Sequence, residues 1–132
     1  MVQTPRTILI IDDEREICEF LKLRLESFGF SASYVTDGEA GLKKAIEALP
    51  DCVLLDIRLK VGDGLTVLRS LRAYRHEDSA IQDRVRKIPV IILTAAGGAM
   101  CSLFRLEGAN DYMEKPFDAE HLKARILKVL EG

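Results

Sequence analysis

Histidine and cysteine are scarce in this chain. Its 132 residues include two histidines, His76 and His121, and three cysteines, Cys18, Cys52 and Cys101. No C-x-x-C pair occurs and neither histidine has a neighbouring ligand pattern, which argues against a zinc site. An odd, widely spaced set of cysteines favours free thiols over a disulfide framework. Cys52 lies inside an apolar run and reads as a buried small hydrophobe. No apolar stretch approaches the roughly 20 residues needed to span a bilayer. Residues 1–6 lack the apolar core of a signal peptide, so a cytoplasmic location is expected. The 19 Lys and Arg stand against 21 Asp and Glu, a formal net charge of −2. That balance gives no pull toward nucleic acid or a membrane surface. There is no internal repeat, low-complexity tract or interdomain linker. The length suits one domain, residues 1–132, able to bury a core.

What is present is an alternation of short apolar runs with helical patterns. The runs cover residues 8–11, 32–35, 52–55, 90–93 and 111–113, the second and fifth being weak. Residues 14–28 carry Ile17, Leu21, Leu25 and Phe28 at helical spacing, and Gly29 follows as a stop. Asp37 is placed to cap a helix bearing Ala40, Ala45, Ile46 and Leu49, closed by Pro50. A third helix starts near Gly64, with Leu65, Leu68 and Leu71 inward. A fourth covers residues 99–106 and ends at Gly108. The fifth begins after Asp118, with Leu122, Ile126 and Val129 on one face. Residues 75–87 are polar and mixed in charge, and either extend the third helix or form a loop. Such alternation implies an α/β fold in three layers, a parallel sheet covered by helices on both faces.

Ligands of open α/β sheets bind at the carboxyl ends of the strands. Asp12, Asp13, Asp56, Thr94 and Lys115 all fall at or just past expected strand ends, which places them on one rim. Three clustered carboxylates repel one another unless a cation or a proton intervenes. Oxygen-only ligands suit a hard ion such as Mg²⁺. A carboxylate can attack phosphorus to form an acyl phosphate, and positive charge around the transferring oxygens then does most of the catalysis. Taken singly, each residue has an ordinary alternative. Asp12-Asp13 would cap the first helix, Asp56 would be a turn residue, Lys115 a solvated lysine and Tyr112 a half-buried strand aromatic. The Lys115-Pro116 bond is of the kind that adopts cis at small cost.

The segments Ile8-Leu9-Ile10-Ile11-Asp12-Asp13-Glu14, Asp56-Ile57-Arg58-Leu59 through Asp63-Gly64, Ile88-Pro89-Val90-Ile91-Ile92-Leu93-Thr94-Ala95, and Gly108-Ala109-Asn110-Asp111-Tyr112 through Lys115-Pro116-Phe117 carry a closer resemblance. Together they resemble the CheY-like receiver domain of two-component response regulators over nearly the whole chain. The resemblance implies a flavodoxin-like sheet of five parallel strands, order 2-1-3-4-5, with five helices. It implies that Asp56 accepts a phosphoryl group from the phosphohistidine of a sensor histidine kinase or phosphotransfer protein. Asp13, Asp56 and the backbone carbonyl of Arg58 would hold Mg²⁺, with Asp12 acting largely through water. Thr94 and Lys115 would contact the phosphoryl oxygens, and Thr94 and Tyr112 would form the switch. The face made by the fourth helix, fifth strand and fifth helix would then change its preference for a downstream protein or a second copy of the chain. No direct contact with nucleic acid or membrane is implied. The expected role is a signalling module, not an enzyme acting on a separate substrate.

Three positions depart from the family pattern. Lys60 stands where proline is usual, and Arg58 and Ala96 border the path of the water that would hydrolyse the acyl phosphate. Arg58 would either screen that water or pair with a nearby carboxylate. Gly97 and Gly98 would ease rearrangement of the loop after Thr94. In the helix 99–106, Leu103 and Leu106 would face the sheet. Met100 and Phe104 would then either face outward as a docking surface or sit at the edge of the core. Two other classes compete. A haloacid-dehalogenase-like hydrolase also uses an aspartyl phosphate, but needs a D-x-D motif where this chain has Asp12-Asp13-Glu14. A flavodoxin-like electron carrier needs a hydroxyl-rich loop there, and the acids would repel its flavin phosphate.

Overall fold

The computed structural model describes residues 4–57, 63–95 and 104–131. Expectations for Arg58, Lys60, Ala96, Gly97, Gly98, Met100, Cys101 and Leu103 lie outside these residues. In chain order the elements are β1 (Thr7–Ile11), α1 (Arg15–Ser27), β2 (Ser31–Val35), α2 (Gly38–Ala48), β3 (Cys52–Asp56), α3 (Gly64–Arg72), α4 (Ser79–Arg86), β4 (Val90–Thr94), β5 (Asp111–Glu114) and α5 (Ala119–Glu131). A further helical turn, residues 104–106, precedes β5. The five strands form one sheet in the order β2-β1-β3-β4-β5, and every neighbouring pair is parallel.

The sheet is sandwiched because its central strands are apolar on both faces. Every residue of β3 and β4 is buried, as continuous apolar runs between two helical layers require. Along β1, Ile8 and Ile10 face one core with Cys18, Leu21, Leu122 and Ile126. Leu9 and Ile11 face the other core with Leu68, Leu71, Val85 and Phe104. The edge strands β2 and β5 bury less, which is why their sequence signal is weak.

The helix ends follow local chemistry. Asp37 accepts the Ala40 N–H at 2.7 Å and Asp63 accepts the Leu65 N–H at 3.0 Å, each satisfying a donor that the helix leaves unpaired. Gly29 takes φ +97° beyond α1. There the Phe30 N–H reaches Leu25 O and the Gly29 N–H reaches Glu26 O, a Schellman stop.

Two expectations are corrected. Residues 79–86 form a separate helix, α4, capped by Asp78, which accepts the Ala80 N–H at 2.9 Å; with the turn at 104–106, the described residues hold six helical segments rather than five. Its one buried residue is Val85, so the sequence carries no apolar period there. Leu106, expected to face the sheet, is instead 85 % exposed, whereas Phe104 is buried, in line with the core placement that was one of its two expected positions. Positions two apart on a helix face opposite ways. With Phe104 anchored in the core, Leu106 must point to solvent.

Candidate functional site

The chain runs from β1 out to β2 and then back across to β3 on the other side of β1. The carboxyl ends of β1 and β3 therefore lie side by side at the point where strand order reverses. Asp12 follows β1 directly, and its N–H donates to Val35 O at 3.2 Å. Asp56 is the last residue of β3 and Thr94 the last of β4. The Lys115 N–H donates to Thr94 O at 2.8 Å, which brings the end of β5 to the same rim. Asp12, Asp56 and Thr94 are all buried, and Asp13 is half-buried.

Four of the expected site residues converge. One carboxylate oxygen from each of Asp12, Asp13 and Asp56 lies within 4.8 Å of the others. The Lys115–Pro116 peptide is cis, and the Lys115 ammonium reaches into the cluster. Its Nζ donates to Asp12 Oδ2 at 2.8 Å and stands 3.6 Å from Asp56 Oδ2 and 3.8 Å from Glu14 Oε1. The other Asp12 oxygen, Oδ1, accepts the Glu14 N–H at 3.0 Å. Tyr112 stands apart, half-buried on β5 opposite Ile92, with the Arg105 guanidinium 5.4 Å from its ring centre.

Among the described residues, three carboxylates and one ammonium share a largely buried space, and such clustering of carboxylates favours uptake of a cation. Burial pushes the Lys115 pKa down, but the hydrogen bond to Asp12 and the charges of Asp12, Asp56 and Glu14 push it further up. The net shift is upward, so Lys115 is a cation at neutral pH. The donor set is oxygen only, partly exposed on one side through Asp13, and fits a hard, hydrated ion of the Mg²⁺ type.

Two participants were not legible in the sequence. Glu14 completes the carboxylate ring around Lys115, and its place beside two acids was the available signal. Cys18 lies beneath the site and its thiol donates to Asp12 O at 3.2 Å. Burial is the main cause that pushes its pKa up to about 12, so it stays a neutral donor. Cys18 and Cys52 are free and buried, as the cysteine spacing implied. Among the described residues no helix is long and apolar enough to cross a membrane.

Residues 8–127 match the family model described as the response regulator receiver domain. The chain is 36 % identical over 124 residues to the DNA-binding dual master transcriptional regulator RpaA of Synechocystis sp., covering 93 % of this chain and 48 % of that protein. It is 35 % identical over 126 residues to the alkaline phosphatase synthesis transcriptional regulatory protein PhoP of Bacillus subtilis, covering 95 % of this chain and 48 % of that protein. It thus spans about half the length of the curated relatives it matches. Among solved structures it resembles the receiver domain of a sensor histidine kinase of Pseudomonas aeruginosa, solved with a magnesium ion in its active-site cleft. The TM-score is 0.83 at 28 % identity, over 98 % of this chain and 100 % of that one.

Proposed function

Because the chain belongs to the family of response regulator receiver domains of two-component systems, we propose that Asp56 is its phosphoryl acceptor and that residues 1–132 act as one phosphorylation-controlled signalling module. The observation that carries this is the convergence of Asp12, Asp13 and Asp56 within 4.8 Å of one another, with the Lys115 ammonium against Asp12 and Asp56. A carboxylate oxygen of Asp56 attacks the phosphorus of a phosphohistidine on a sensor histidine kinase or phosphotransfer protein. The new P–O bond replaces the P–N bond, and the imidazole leaves. Bound Mg²⁺ would neutralise phosphoryl oxygen charge. Asp13, Asp56 and the Arg58 carbonyl would hold it, with Asp12 contributing through water. Lys115 would release one carboxylate contact to meet a phosphoryl oxygen, and the Thr94 hydroxyl would donate to another.

Charge-assisted contacts of this kind shorten and strengthen relative to neutral ones. Drawing Thr94 toward the phosphoryl group and reorienting Tyr112 would change the face built from residues 104–106, β5 and α5. That face would bind a downstream protein or a second copy of the chain. The module contacts no nucleic acid or membrane itself; DNA binding is a property named for one relative, about twice as long as this chain. A cytoplasmic location accords with a kinase partner. No observation on the site favours the dehalogenase-like hydrolase over this reading.

Acetyl phosphate with Mg²⁺, followed by borohydride trapping and mass spectrometry, tests the acceptor. The expected result is a single modified aspartate at position 56 and loss of labelling in Asp56→Asn. Full labelling of that variant would move the acceptor elsewhere.

A further inference from the structure

Helix α3 touches the acceptor at one end and the segment that enters β5 at the other. At its start the Gly64 N–H donates to Ile57 O at 3.4 Å. The backbones meet so closely that a Cβ on Gly64 would overlap the Asp56 carbonyl oxygen and lie 2.7 Å from Ile57 Cα. Near its end, Arg69 grips Glu107 with two parallel hydrogen bonds, Nε to Oε2 at 3.0 Å and Nη2 to Oε1 at 2.8 Å. Its final residue, Arg72, donates from Nε to Gly108 O at 2.9 Å and from Nη2 to Asn110 Oδ1 at 3.0 Å. The remaining nitrogen, Nη1, donates to Arg86 O at 2.9 Å and Ile88 O at 2.8 Å. Gly108 is shaped for this grip. It takes φ +102°, and a Cβ there would come within 3.0 Å of Arg72 Cγ.

We infer that α3 is a strut coupling occupancy of the Asp56 site to the position of residues 107–110 and hence of β5, through the Arg69–Glu107 and Arg72 clamps. This rests on Asp56 being the acceptor. The physical basis is rigidity at each joint. A nine-residue helix spans about 13 Å and moves as a unit, and Leu68 and Leu71 seat it in the core. Backbone-to-backbone contact at Gly64 leaves no flexible side chain to absorb a shift of the acceptor. The planar, bidentate Arg69 fork and the many-handed Arg72 fork hold direction as well as distance. Asn110 passes the restraint on: its Oδ1 also accepts the Val90 N–H at 2.9 Å, and Asp111 and Tyr112 follow at once. This route is separate from any movement of Thr94. It brings in α4 as well, since Arg72 binds the carbonyl of that helix's last residue.

The test uses the full chain with Mg²⁺ and beryllofluoride as the phosphoryl mimic. Binding is followed by fluorine NMR, and the response by backbone hydrogen exchange across residues 104–114. Wild type should bind and change its exchange in that segment. Arg69→Gln and Glu107→Gln, at the exposed and the half-buried end of the clamp, should still bind but respond at half the amplitude or less. The charge-swapped pair Arg69→Glu with Glu107→Arg should restore the response. Single variants that bind and respond like wild type would overturn the strut, as would a wild type that binds with no change at 104–114. A wild type that fails to bind would overturn the acceptor assignment and the strut with it.

Discussion

Lys115 illustrates how one residue holds a repulsive site together. Its ammonium lies 2.8 Å from Asp12, which has no exposed surface, and within 4 Å of Asp56 and Glu14 as well. Removing it strands a buried carboxylate, so Lys115→Ala should cost on the order of 2 kcal/mol of stability by urea denaturation. Its effect on phosphorylation by acetyl phosphate should be larger, on the order of 10²-fold in rate, because a preorganised cation acts on charge that develops in transfer. Equal rates would remove Lys115 from the site's chemistry. The pH dependence has a definite sign. The folded-state pKa of Lys115 lies above its ordinary value, so its stabilising contribution is complete below the ordinary lysine range and is lost as pH rises through the folded value. Stability measured against pH should therefore fall less steeply on the alkaline side in Lys115→Ala than in wild type.

Elements differ in how much of them the sequence discloses. β1, β3 and β4 were legible because strands buried on both faces must be continuous apolar runs. The site was legible through them: residues that end parallel strands share a rim, so Asp12, Asp56, Thr94 and Lys115 could be brought together from positions far apart. Helix α4 was not, since a helix with a single buried residue has no period to detect. The inward side at 104–106 was not legible for a different reason: Met100, Cys101, Leu103, Phe104 and Leu106 are all apolar, so the sequence marks no single buried face. Arg72 gives no signal in the sequence because an arginine in a helix is normally solvated, whereas here its guanidinium meets four acceptors in other segments. Gly64 is the most sensitive joint among these elements. A methyl group there would collide with the backbone of Asp56 and Ile57, and backbone cannot swing aside. Gly64→Ala should lower unfolding stability by about 1–3 kcal/mol and slow acyl phosphate formation together. A variant with native stability would show that α3 can retreat from Asp56.

At the scale of the whole molecule the charge is nearly balanced, yet its distribution is uneven. A formal net charge of −2 conceals a cluster of carboxylates, Asp12, Asp13 and Asp56, at one end of the sheet, with the Lys115 ammonium against two of them. Gathering these acids costs the folded state their mutual repulsion, which the unfolded chain avoids by spreading them apart. A divalent ion that binds only the folded arrangement must therefore raise stability by RT ln(1 + [ion]/Kd), about 2.7 kcal/mol at a hundredfold excess over Kd. Simple screening would act differently. Sodium chloride at matched ionic strength weakens repulsion between exposed charges but reaches a buried cluster poorly. Magnesium chloride should thus raise the melting temperature well beyond the sodium control, and a chelator should reverse the gain. Asp13→Asn removes one proposed ligand and part of the repulsion at once, so that variant should melt higher than wild type without magnesium and gain less from adding it. Equal shifts with the two salts, or an undiminished magnesium gain in Asp13→Asn, would show that the acids relieve their repulsion without a specific ion.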